Sequence, residues 1–144
     1  MQPRAVLSQT ASSMRLPLNE ELRVLLVEDS RLLSERLLEL IAAEDGVSAV
    51  AAVATESEAV EAVRELHPDA VILDLRLREG TGFGVMRYIN TLVDRPDVVV
   101  ITNYALPQYR QQAHRLGARY FLDKTQEFDR LPEVLKTLRE NRPS

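Results

Sequence analysis

The sequence has no cysteine and no tryptophan. Without cysteine there is no disulfide framework and no thiolate metal site, so stability has to come from burial, and a reducing, cytoplasmic setting is expected. His67 and His114 are the only imidazoles, both in helical or helix-end patterns, which leaves zinc and other soft metals without a donor set. No stretch approaches 18 apolar residues, so no membrane-spanning helix is expected. Nor is there a surplus of positive charge: 18 Lys and Arg against 22 Asp and Glu leave −4, which argues against direct binding to a nucleic-acid backbone. What is present, 144 residues with 45% hydrophobic and 28% charged and a mean hydropathy of −0.17, is the composition of one globular domain. A chain of this length can hide about 70% of its unfolded surface.

Residues 1–20 lack a hydrophobic run of the signal-peptide kind, and no acid precedes Glu20. They carry Ser8, Thr10, Ser12, Ser13, Pro3 and Pro17, with Arg4 and Arg15 too few for an organellar transit segment. A disordered extension over 1–20 is expected, with Met14 as an alternative start, ahead of a folded domain over 21–142.

From Leu22 onward, short apolar runs alternate with amphipathic stretches. Leu22 to Val27 predicts a buried strand, and Ser30 caps a helix with the apolar stripe Leu33, Leu37, Leu40 and Ile41, stopped by Gly46. Ser48 to Ala54 is a second strand, and Thr55 with Glu58 forms a capping box for a helix through Leu66, ended by Pro68. Asp69 to Leu75 is a third strand, followed by a glycine-containing loop and a helix over roughly Phe83 to Val93. Val98 to Thr102 is a fourth strand, Pro107 to Leu116 a helix closed by Gly117, and Arg119 to Leu122 a fifth strand. The last helix has to begin near Phe128 to Leu131, since Pro132 is tolerated only in a first turn; Asp129 is its expected cap and Pro143 its limit. Strands alternating with helices in this way imply βαβ crossovers and a parallel sheet between two helical layers.

In open sheets of this class the functional crevice lies beyond the carboxyl ends of the strands. Those ends deliver Glu28 and Asp29, then Asp74, Thr102 and Lys124. Two like charges about 4 Å apart cost roughly 4 kcal/mol at an effective dielectric near 20, so three carboxylates at one rim need a positive partner. With oxygen donors only, Mg²⁺ is the fitting ion. Lys124 supplies a movable cation and Thr102 a hydroxyl for phosphoryl oxygens, and a carboxylate can itself be the nucleophile. The residues therefore point to a Mg²⁺-assisted phosphoryl acceptor with Asp74 as nucleophile.

The stretch from about Leu22 to Glu140 resembles the receiver domain of two-component response regulators, including stand-alone receivers of the chemotaxis type. The resemblance implies a flavodoxin-like doubly wound α/β fold: a five-stranded parallel sheet in the order 2-1-3-4-5 with five helices. Residue by residue it makes Glu28 and Asp29 the acid pair, Asp74 the phosphorylated aspartate, Thr102 the switch hydroxyl, Lys124 the phosphate-binding lysine and Phe121 the switch aromatic. Gly82 matches the loop glycine, and the Arg76 carbonyl becomes a further metal ligand beside Glu28, Asp29 and Asp74. It implies transfer from a sensor histidine kinase or phosphotransfer protein, a downstream protein target reached through the fourth helix, fifth strand and fifth helix, and a homodimer allowed through that same face. Only self-phosphorylation and self-dephosphorylation are expected as chemistry, not turnover of an external substrate. The 20 residues after Lys124 suffice for one helix, so a single-domain switch or phosphorelay carrier is expected, the alternative being the N-terminal part of a longer regulator.

Departures from the family pattern sharpen these expectations. Asn103 and Tyr104 follow the switch hydroxyl where small residues are usual, and Arg76 stands two beyond Asp74, so access of water is crowded and a long-lived aspartyl phosphate is expected. Arg78 and Thr125 replace common prolines, and the latter removes an expected cis peptide bond. Two rival functions use similar residues. An aspartate-nucleophile phosphatase of the haloacid-dehalogenase type uses D-x-D, and here Asp74-Leu75-Arg76 lacks the second acid. A phosphorylation-independent interaction module with the same fold would not need the full acid, Thr and Lys set. Several features have blander readings: Glu28 and Asp29 alone are ordinary helix-start charges, and Gly80 to Gly84 lacks phosphate-loop spacing. Arg110, Arg115 and Arg119 suggest a basic contact patch but fit a solvated helix face.

Overall fold

A computed structural model describes residues 21–142; the extension expected over 1–20 lies outside the described residues. The elements run β1 Leu22–Val27, α1 Arg31–Ala43, β2 Val47–Val53, α2 Glu56–Leu66, β3 Ala70–Leu73, α3 Gly82–Ile89, β4 Asp97–Thr102, α4 Pro107–Arg115, β5 Tyr120–Asp123 and α5 Leu131–Glu140. All strands are parallel, in the order β2-β1-β3-β4-β5, the five-stranded doubly wound arrangement expected.

The central strands are buried on both faces because alternate side chains feed two cores. Val24 and Leu26 of β1 pack with Leu37 and Ile41 of α1 and Leu131, Leu135 and Leu138 of α5. Leu25 and Val27 point the other way, into Ala59 and Val63 of α2, Met86 and Ile89 of α3 and Ala113 of α4. Each fully buried leucine or isoleucine of this kind contributes about 1.5–3 kcal/mol. The two layers clamp the strands so that their carboxyl ends share one rim.

Local chemistry sets the starts of the helices. Ser30 Oγ accepts from the Leu33 amide at 3.3 Å. Thr55 accepts from the Glu58 amide at 3.1 Å while Glu58 accepts from the Ala54 amide at 3.0 Å, a shifted capping box. Three expectations need correction. Asp129 is not the cap of α5: it sits exposed in a 3-10 turn, Phe128–Arg130, and α5 starts after it with no side-chain cap. Helix α3 spans Gly82–Ile89 rather than reaching Val93, because Arg95 draws the chain back by donating to the Asn90 and Leu92 carbonyls, leaving Val93 98% exposed. Helix α5 ends at Glu140, short of Pro143.

Candidate functional site

At the tip of β1 the backbone still follows the sheet, since the Glu28 amide donates to the Val53 carbonyl at 2.9 Å. This holds Glu28 inward while Asp29, one residue on, turns out to solvent. Its neighbour β3 ends one residue before Asp74, whose amide donates to the Val27 carbonyl at 3.1 Å. Thr102 closes β4 and is fully buried, and the Lys124 amide donates to its carbonyl at 3.0 Å. Three strand ends and the turn after β5 thus aim their side chains at one place.

The Lys124 ammonium donates to Asp74 Oδ2 at 2.7 Å and lies 2.7 Å from Glu28 Oε1. Glu28, Asp29 and Asp74 each bring a carboxylate oxygen within 4.8 Å of the others. Glu28 Oε2 accepts from the Ser30 amide at 3.0 Å, and the buried Oε1 is held by the Lys124 ammonium. Three carboxylates that share a single lysine, with oxygen donors only, fit a hard divalent cation.

A search against family models matches residues 24–136 to the response regulator receiver domain. The chain belongs to this family. Among curated relatives, the receiver is 31% identical over 121 residues to the transcriptional regulatory protein BtsR of Salmonella typhi, covering 84% of this chain and 49% of that one. It is 29% identical over 115 residues to the sensory transduction protein LytT of Enterococcus faecalis, covering 80% and 47%. The chain thus spans about half the length of curated relatives it matches. Among solved structures, the non-phosphorylated HemR receiver domain of Leptospira biflexa superposes with a TM-score of 0.75 at 32% identity, covering 86% of this chain and 99% of that one.

The electrostatics of the receiver's rim follow from burial. Desolvation pushes the Glu28 carboxyl above its ordinary 4.5, outweighing the help of Lys124 and the Ser30 amide. Burial alone would lower the Lys124 ammonium, but its hydrogen bonds and charge contacts with Asp74 and Glu28 win and hold it above 10.5. The cluster therefore remains short of positive charge even with the lysine in place.

The remaining predicted residues sit close by but are engaged differently. Thr102 Oγ1 accepts from the Tyr104 amide at 3.1 Å. The Arg76 amide approaches Asp74 Oδ1 at 3.4 Å, while its guanidinium turns away to Tyr104, donating to the hydroxyl at 3.0 Å and lying 5.0 Å from the ring centroid. Phe121 is not at the rim: it lies half-buried on β5 beneath the Arg110 guanidinium. Gly82 begins α3, where a Cβ would come 2.4 Å from the Asp74 carbonyl oxygen. Thr125 replaces the rigidity of a proline by its own bonds, its amide and hydroxyl donating to Asp123 Oδ1 at 2.9 and 2.7 Å. Arg76 and Tyr104, both expected from the sequence to crowd the route of water, clasp one another across 28 positions; the bracing of the loop by Glu56, which accepts from the Thr81 amide at 2.9 Å, had no signal in the sequence.

No helix among the described residues is long and apolar enough to cross a membrane.

Proposed function

We propose that this receiver accepts a phosphoryl group on Asp74 and converts it into a change of protein contacts. The observation that carries the reading is the bond from the Lys124 ammonium to Asp74, inside a rim that also holds Glu28 and Asp29. Glu28, Asp29 and Asp74 would hold Mg²⁺, joined by the Arg76 carbonyl as the family resemblance implies. The ion, when bound, supplies positive charge against the phosphoryl oxygens.

A carboxylate oxygen of Asp74 attacks phosphorus, the P–N bond of a phosphohistidine breaks, and the histidine leaves with its electron pair and takes a proton from water. Lys124 shifts from its salt bridges to a phosphoryl oxygen and balances the added charge. Thr102 turns its hydroxyl towards the phosphoryl group and gives up the Tyr104 amide, and Phe121 moves with it. The donor on this reading is a sensor histidine kinase or phosphotransfer protein in the cytoplasm. The output leaves through the face formed by α4, β5 and α5, to a downstream protein, whether this domain acts singly or as part of a longer regulator.

Incubation with acetyl phosphate and Mg²⁺, followed by intact-mass analysis, tests the reading. One added phosphoryl group, absent in Asp74→Ala, is the expected result; an unmodified wild type favours a phosphorylation-independent module, and steady release of phosphate without an adduct favours a phosphatase. In the same experiment the decay of the adduct tests the Arg76–Tyr104 clasp. Losing it in Tyr104→Ala should open the site to water and shorten the lifetime roughly tenfold, the effect of about 1.4 kcal/mol of barrier. An unchanged lifetime removes the clasp from the mechanism.

A further inference from the structure

Helix α3 begins with half of a capping box. Thr81 is its N-cap, and the Thr81 hydroxyl accepts from the Gly84 amide at 3.2 Å. The other half would be a Glu or Gln at the third helical position, accepting from the amide of the N-cap residue. That position is Gly84, which has no side chain. The missing acceptor comes from a different helix: the Thr81 amide donates to Glu56 Oε1 at 2.9 Å, and Glu56 is the first residue of α2. The Glu56 amide also donates to the Glu79 carbonyl at 2.9 Å, so one residue grips the β3–α3 loop at two points. Two glycines make room for it. A Cβ on Gly84 would lie 2.1 Å from Glu56 Oε2, and one on Gly80 would lie 2.4 Å from Glu56 Cβ. An acid at the start of α2 is already favoured by that helix's dipole, but the dipole does not call for glycine at positions 80 and 84 opposite it.

Across the loop, Thr81 forms an antiparallel bridge with Arg76, and the Gly82 amide donates to the Leu75 carbonyl at 2.8 Å. The Arg76 amide in turn lies 3.4 Å from Asp74 Oδ1. A continuous run of contacts thus joins the Glu56 carboxylate to Asp74. We propose that Glu56 is a positioning residue for the cation at the rim: by capping α3 from α2 it holds the Arg76 backbone beside Asp74 and so sets the affinity for Mg²⁺. Groups that orient a metal ligand without touching the metal typically govern affinity by about 10- to 100-fold. The part given to the Arg76 carbonyl rests on the functional reading above; the clamp on the loop does not.

Mn²⁺, which shares the preference of Mg²⁺ for oxygen donors, is the probe, its free concentration read by electron paramagnetic resonance as it is titrated into the full chain. Glu56→Ala is expected to weaken Mn²⁺ binding about tenfold and to shift the Arg76 amide resonance of the metal-free protein. Glu56→Gln keeps an accepting oxygen and should bind nearly as wild type does. Glu61→Ala, which removes an equal charge from the exposed side of α2, should leave binding unchanged; circular dichroism verifies that the variants fold. Gly84→Ala gives a second route: its methyl group suits a helix but displaces the Glu56 carboxylate, so Mn²⁺ binding should weaken in wild type and change no further in Glu56→Ala. Wild-type affinity in Glu56→Ala or Gly84→Ala overturns the proposal. So does an equal loss in Glu61→Ala, a Glu56→Gln as weak as Glu56→Ala, or a wild type that takes up no Mn²⁺. Acetyl phosphate treatment separates the two readings. A wild type that takes no phosphoryl group, while Glu56→Ala still weakens Mn²⁺ binding, fails the functional reading and keeps the positioning role; a phosphorylated wild type with normal Mn²⁺ binding in Glu56→Ala does the reverse.

Discussion

The Lys124 side chain is only 6% exposed and touches two carboxylates at 2.7 Å, so its removal strands two buried negative charges. Lys124→Met is expected to lower stability near neutral pH by about 3 kcal/mol, the scale for breaking a buried ion pair. The sign of the pH dependence follows from its raised folded pKa. The stabilisation is fully present below the ordinary value of 10.5 and is lost as pH rises through the higher folded value. Urea unfolding from about pH 7 to about pH 11 should therefore show wild type converging on Lys124→Met only at the alkaline end; a constant difference would rule this linkage out. Glu28 shows the opposite strain, because a carboxyl held above 4.5 by burial makes its charged form a cost to the fold that grows as pH rises. The types of these residues were legible at strand ends in the sequence. Their mutual balance was not, since burial depends on neighbours some 50 to 100 positions away.

The elements position this chemistry through backbone contacts that leave little room for change. At the start of α3 a side chain on Gly82 would meet the Asp74 carbonyl oxygen at 2.4 Å and the Leu75 Cα at 3.0 Å, backbone atoms that cannot rotate away. Gly82→Ala is expected to cost about 1–3 kcal/mol, the range for overpacking a close-packed site, and to displace the chain at Asp74. Chemical denaturation gives the loss, and a shifted Asp74 backbone resonance gives the displacement; normal stability would show that the loop yields instead. At this scale the sequence served well where local chemistry decides, as with Ser30 and Thr55, whose caps form as expected. It failed where two local solutions compete. Asp129 is a good cap by type, yet the chain spends those residues on a 3-10 turn that brings Phe128 against the α1 side of the core, with Arg36 5.1 Å from its ring centroid. The apolar Leu92 and Val93 extend the helical pattern past Ile89, but the hydrogen bonds of Arg95 end the helix first.

For the molecule as a whole, folding brings three carboxylates to one rim, and a cation that binds only the folded form must stabilise it. At one hundred times its dissociation constant a ligand adds about 2.7 kcal/mol, on the order of 10 °C in melting temperature for a domain of this size. Mg²⁺ is expected to raise the melting temperature of wild type on that scale and that of Asp29→Asn far less; equal shifts in both would place the ion elsewhere. The sequence by itself determined the alternation of strands and helices, the apolar runs that make a parallel sheet buried on both faces, and the polar residues at the carboxyl ends of those strands. These are properties of short windows, where periodicity and residue type act locally. Only the tertiary structure decided that the Lys124 ammonium reaches Asp74 and Glu28 at once, that Arg76 clasps Tyr104, and that the Arg110 guanidinium lies over the Phe121 ring. Each depends on a distance between segments far apart in the chain, which is fixed by how the two helical layers pack on the sheet.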